Sequence, residues 1–271
     1  MSRSSLFIAA SVVVLSMSPV SIVPSMAQEI TAEANMASLQ ASLNAPYNDI
    51  LSRYIKVEDG IHLFDYAAVS PEDKEKLEAY VTTLEGLTPS AMEQNEQIAY
   101  YANIYNAKTV LIILDNYPVR SIRDIGGNLI FKGPWRENVL TIEGQALSLD
   151  NIEHDIVRAN FDEPRIHYAF NCASIGCPNL ATKAWEAESL DADLDAAARA
   201  FVAHPRGIQI KDNGKVQASS IYKWFDEDFG NNVTDTLNHI RGFAEGEKAE
   251  ALKDVTRIHS YDYDWSLNDV K

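Results

Sequence analysis

Cysteine is scarce in this chain: 271 residues contain two, Cys172 and Cys177. Such a count excludes a disulfide-stapled miniprotein, and no histidine stands at paired-cysteine zinc spacing. The spacing between them is four residues, so a CxxC redox motif is excluded as well. Basic residues are also in deficit, with 23 Lys and Arg against 39 Asp and Glu and a net charge of −16. A surface of that sign repels nucleic acid and anionic lipid, so neither is expected as a partner. The acids of the 186–195 stretch are scattered (Glu186, Glu188, Asp191, Asp193, Asp195). They read as solvated helix faces, with no calcium-loop pattern.

Long apolar runs are missing too. The first 27 residues have a basic start at Arg3, an apolar run from Leu6 to Leu15 broken by Ser11, and Ser25-Met26-Ala27 as a small-x-small site. That pattern predicts a cleavable export signal, because the run is shorter than the roughly 20 residues a membrane span needs. The later candidate, Val110 to Leu114, is flanked by Lys108 and Asp115, so no stable membrane insertion is expected once the signal is removed. The protein is expected to be exported, to periplasm or medium. Internal repeats, low-complexity blocks and long Gly/Ser/Pro linkers are absent, and the 46% hydrophobic content supports a real core.

What is present reads as helices first and short strands later. Residues 28–88 are expected to be a helical segment, in which Ser70-Pro71-Glu72-Asp73 is a helix start followed by Leu77, Tyr80, Val81, Leu84 and Leu87 at helical spacing. From Glu93 to Asn116 hardly any polar face remains, which predicts a buried central helix. Trp135 to Ile142 reads as a strand entering a turn at Glu143-Gly144-Gln145, and Asp212-Asn213-Gly214 as a second hairpin turn. Residues 165–171 read as a short alternating strand, and 257–265 as a closing one. The expected class is α+β: a helical N-terminal part and a buried central helix on a small, largely antiparallel sheet.

Several segments together resemble one family. Tyr101-Ala102-Asn103-Ile104-Tyr105-Asn106-Ala107, Leu147 to His154, Pro164 to Ser174 with Cys177-Pro178, Tyr222-Lys223-Trp224-Phe225 with Asp228-Phe229, and Asp264 to Asn268 are similar to the motifs of domain of unknown function 547. The resemblance spans about residues 90–268. It implies a domain over 89–271, packed with the preceding helices as one globular unit and of bacterial exported type. It implies no assigned activity.

The chemistry-bearing residues leave two functions open. In the first, the protein is a thiol-dependent hydrolase or acyl transferase acting on envelope peptide or isopeptide bonds. Cys172 or Cys177 is then the nucleophile, His167 the base, and Asn106 or Asn171 a polarising donor. In the second, it is a non-catalytic binding or scaffold domain whose cysteines form a Cys172–Cys177 disulfide, as two cysteines in an oxidising compartment often do. Strand alternation would put Cys172 on the face opposite His167, with Cys177 returning after the Ser174-Ile175-Gly176 turn. Cys172 could alternatively stand past the strand, at a helix N-terminus.

Asn103 and Asn106 share a face of the central helix and need partners: either neighbouring backbone or a polar pocket lined with Tyr105. His154, His167, His204, His239 and His259 show no zinc spacing, so no metal and no cofactor is expected. His259 with Asp262 or Asp264 is a candidate orienting group for His167. Trp135, Trp224 and Trp265 are core residues or a ligand platform. A small molecule or a peptide is the expected partner.

Overall fold

The computed structural model describes residues 42–126 and 133–271; the expected export signal lies outside them. A helix through residues 42–54 (α1) leads into a hairpin of β1 (Ile55–Glu58) and β2 (Ile61–Phe64). Helix α2 (Pro71–Glu85) starts where the sequence predicts, with Ser70 Oγ accepting from the Asp73 amide. Its face of Leu77, Tyr80, Val81 and Leu84 is buried against the next helix.

That helix, α3 (Gln94–Asn116), is buried from Ile98 to Ala107 without interruption. A glutamate pair opens it as a capping box, Glu93 with Glu96. Two asparagines fasten it to loop backbone. Asn103 donates to the Trp185 carbonyl (2.9 Å) and accepts from the Trp185 amide (2.8 Å). Asn106 does the same with the Ala169 carbonyl and the Asn171 amide, both at 2.8 Å. Each amide thereby replaces a secondary-structure partner for an otherwise orphaned stretch of buried chain.

Strands β3 (Leu140–Ile142) and β4 (Gln145–Leu147) form the second hairpin, tighter than the Trp135–Ile142 run suggests. Ser148 then caps a wide π-turn, Asn151–Val157, that continues as α4 (Arg158–Asn160). Helix α5 (Leu190–Ala203) precedes a third sheet in the order β5 (Ile208–Ile210), β6 (Val216–Ser219), β7 (Ser260–Asp262). There β5–β6 is antiparallel and β6–β7 parallel. Between them lie α6 (Ile221–Trp224), α7 (Val233–Phe243) and α8 (Gly246–Leu252). The class is α+β as expected, with the strands distributed over three small sheets. The described residues form one compact unit.

Two expectations fail: the β1–β2 hairpin interrupts the stretch 28–88 read as helical, and the second failure bears on the cysteines. Residues 165–171 are not a strand: Pro164–Tyr168 is a 3-10 helix, begun by proline and by the Glu163 carboxylate accepting from the Arg165 amide. A proline with a local side-chain cap outweighs the alternating pattern. With no strand there, no alternation turns Cys172 away from His167.

Two hydrophobic clusters fill the interior. The larger surrounds α3 and the smaller lies among Tyr168, α5, β5, β6 and α7. Among the described residues no helix is long and apolar enough to cross a membrane.

Candidate active site

Between the two clusters opens a cleft of about 210 Å³. Cys172, Cys177, His167 and Glu153 all line it, on walls of Tyr105, Phe170 and Phe225.

Cys172 follows the 3-10 helix and directly precedes Ala173, whose φ of 55° is left-handed. That sharp turn leaves the sulfur half-buried, at the edge of the cleft. The closing segment of the chain completes its surroundings. Gly176 donates to the Asp264 carbonyl (2.8 Å), Ile175 to that of Ser266 (2.8 Å) and Asn268 to that of Ala173 (3.2 Å). A Cβ on Gly176 would stand 2.7 Å from the Asp264 nitrogen, so only glycine permits this approach. The approach delivers the Tyr263 hydroxyl to 3.0 Å from Cys172 Sγ and 2.9 Å from Ser174 Oγ.

The two sulfurs lie 3.1 Å apart and both thiols are free. The expected Cys172–Cys177 bridge is therefore not formed, since bonded sulfurs sit at about 2.05 Å. Proximity serves a different end: the two sulfurs stand within hydrogen-bonding reach. The contact with Cys177, together with those to Ser174 and Tyr263, outweighs burial and brings the Cys172 thiol down to about 7. Cys177, buried and facing the Cys172 sulfur, is pushed up and stays a thiol. A thiolate is the nucleophilic form of cysteine, so the two are chemically unequal.

Glu153 is held by the π-turn, between the buried anchors Ile152 and Val157. Its side chain is only 12% exposed. Burial first, and then the negative charge of Cys172, push its carboxyl up to about 8, against the opposing pull of Arg158 and Tyr105. Near pH 7 the cleft thus favours a carboxylic acid beside a thiolate.

His167, 4% exposed, is clamped flat on the Phe225 ring at 4.1 Å between centroids. Its Nε2 lies 2.5 Å from Asp228 Oδ2, and Arg158 meets the same carboxylate through two nitrogens. Burial would raise Asp228, but the bonds from His167 and Arg158 bring it down to about 2. Facing an ionised carboxylate, Nε2 must carry the hydrogen. Nδ1 is left as a bare acceptor, 3.9 Å from Glu153 Oε1. Burial also holds the imidazole below its ordinary value. His154, another lining residue, accepts from Arg158 at Nδ1 (3.1 Å).

Of the residues singled out in the sequence, Cys172, Cys177 and His167 meet in this cleft. Asn106 and Asn171 stand behind its wall with both ends of their amides engaged by backbone. His259 turns to the Val216 amide (3.1 Å), and Tyr263 is the residue of the closing segment that reaches the thiol. Sequence reasoning missed Glu153, Asp228 and Tyr263 as site residues. Glu153 and Asp228 sit inside segments that carry the family resemblance, which was the available signal. Among the described residues no cluster of three or more His, Cys, Asp or Glu is disposed to hold a metal ion.

Fold and site together define an α+β protein with a cleft of thiol, carboxyl and imidazole groups. Residues 89–202 match the model of the family described as Protein of unknown function, DUF547. Glu153, His167, Cys172 and Cys177 fall within that match, while Asp228 and Tyr263 lie beyond it. No curated protein and no solved structure matches the chain.

Proposed function

We propose that the protein is a thiol-dependent acyl transferase or hydrolase, with Cys172 as nucleophile and Glu153 as the acid and base. The observation that carries this reading is a half-buried Cys172 sulfur ringed by Cys177, Ser174 and Tyr263 on the same cleft as the Glu153 carboxyl; those contacts lower the thiol, and burial raises the carboxyl. A nucleophile and a proton donor are then both in their working forms near neutral pH. Cys172 Sγ attacks the carbonyl carbon and an S–C bond forms. The bond to the leaving nitrogen breaks as Glu153 gives that nitrogen its proton. Water or an amine then attacks the thioester, returning a proton to the Glu153 carboxylate and restoring the thiolate.

His167 is a positioning residue in this scheme. Fixed by Asp228 and Phe225, its bare Nδ1 faces Glu153 and favours the protonated carboxyl there. Cys177 supports the thiolate as a hydrogen-bond donor. Asn106 and Asn171 shape the loop that carries Cys172. With the export expected of residues 1–27, the bonds acted on are peptide or isopeptide bonds of the cell envelope.

Intact-mass analysis after exposure to p-nitrophenyl acetate tests the reading. One acetyl group should appear on Cys172, vanish in Cys172→Ser and persist in Cys177→Ser. Acetylation of Cys177, or of neither cysteine, leaves the scaffold reading standing instead.

A further inference from the structure

The outer end of the same cleft has a chemistry that acyl transfer alone does not require. Trp224, 46% exposed, packs on Trp265 (5.6 Å between centroids) and Tyr263 (4.8 Å), and Trp135 meets Trp265 edge-on at 5.8 Å. An exposed tryptophan of this size is unusual on a soluble surface and marks a contact site. All four rings line the cleft.

The uncommitted charge around them is negative: Glu153 holds its proton near pH 7 and Asp150 is paired with Arg136, which leaves the Cys172 thiolate and the exposed carboxylates of Asp226 and Asp264. Asp150 and Glu153 are the carboxyl groups of the lining, and no Lys or Arg belongs to it among the described residues. Next in sequence to lining residues, exposed Asp226 follows Phe225 and exposed Asp264 separates Tyr263 from Trp265. Among the described residues, the cations nearby have partners of their own. Arg136 pairs with Asp150 (3.2 Å), Arg158 with Asp228, and Lys223 lies over Tyr261. Arg123 shows what the platform attracts: its guanidinium stands 4.9 Å from the centre of the Trp265 ring.

From this we infer that the mouth of the cleft is a subsite for an alkylammonium group, so that the substrate carries a lysine-type side chain beside its reacting acyl bond. The inference rests on the acyl-transfer reading of the cleft and adds the substrate class. Electron-rich ring faces bind a cation more strongly than a neutral group of equal size when water is partly excluded. A neutral sugar would also stack on tryptophan and donate hydrogen bonds to carboxylates, but it would gain nothing from the negative charge itself. An anionic ligand would be repelled. An ammonium bound here also stabilises the Glu153 carboxylate when that group has given up its proton.

The test compares N-acetyl-lysine N-methylamide with N-acetyl-norleucine N-methylamide, followed by tryptophan fluorescence on the full chain and on its Cys172→Ala variant. The lysine probe should bind at least tenfold more tightly than the norleucine probe. Trp224→Leu should cost it fivefold or more while changing norleucine binding less than twofold. Equal or tighter binding of norleucine, indifference to Trp224→Leu, or preference for a neutral N-acetylglucosamine disaccharide would each overturn the subsite. Acetylation of Cys172 is read separately. Its persistence without lysine preference removes only the subsite, and lysine preference without acetylation removes only the acyl-transfer reading.

Discussion

Two carboxyl groups are withdrawn from water in this molecule, and their surroundings drive them in opposite directions. Asp73, 3% exposed, receives Tyr54 (2.6 Å), Arg53 (2.9 Å), Lys76 (3.1 Å) and, at its own amide, the cap of Ser70. The Tyr54 bond first, then those to Lys76 and Arg53, hold it down to about 2. Glu153 is buried with no cation bonded to it among the described residues, beside a thiolate, and rises to about 8. Burial alone therefore says nothing about role. The donors supplied to the group decide whether it is a rivet or a reagent.

Replacing the reagent should give the largest effect. Glu153→Gln keeps the shape of the side chain and removes its proton transfer, so acetylation turnover should fall by about a hundredfold or more. Stability should move the other way. The folded state holds the Glu153 proton up to about pH 8, whereas an unfolded glutamate loses it near 4.5. Between those values the native state binds more protons, so stability falls as pH rises. Melting temperatures at pH 8 should accordingly be higher for Glu153→Gln than for the parent, with the two converging near pH 4. A variant that melts lower at pH 8 and keeps its turnover erases the contrast with Asp73.

Asp73→Asn should show the complementary pattern, and a smaller one. Its folded value lies below its unfolded one, so its contribution is present above about pH 4 and is lost as the pH falls toward 2. The substitution should lower the melting temperature by a few degrees at pH 7, by progressively less in acid, and leave Cys172 acetylation unchanged. Calorimetry across that range decides.

The smallest effect concerns the thiolate. Tyr263→Phe removes one of three donors to Cys172 while Cys177 and Ser174 remain. The midpoint of Cys172 alkylation by iodoacetamide should rise from about 7 by less than one pH unit. A midpoint unchanged or lowered would mean that the hydroxyl does not donate to sulfur.

Much of the scaffold was legible because its signals are local. The Ser70-Pro71 start and the all-round apolar character of α3 depend on neighbours a few residues away, as do both hairpin turns. Residues 165–171 misled for the same reason inverted: alternation is weak evidence over seven residues, and the proline with its Glu163 cap carried the decisive information. The site was half legible. Thiol and imidazole announce themselves by type, and so Cys172, Cys177 and His167 stood out. Glu153 did not, because one glutamate among many acquires meaning only when folding removes its water and sets a thiolate beside it. The asparagines posed the converse problem. Their spacing on α3 required partners, but only the fold could say that Asn106 serves the Ala169 and Asn171 backbone.

The bare Cα of Gly176 has one further consequence, for timing. By admitting Asp264 to within hydrogen-bonding reach, it makes the cysteine loop wait for a piece of chain made almost ninety residues later. A nascent polypeptide holds its cysteines, its glutamate and its histidine long before the Tyr263 hydroxyl exists to steady a thiolate. The surroundings of the sulfur are thus complete only once residues 263–268 have been laid into place, when the Tyr263 hydroxyl joins the Cys177 and Ser174 groups already beside it.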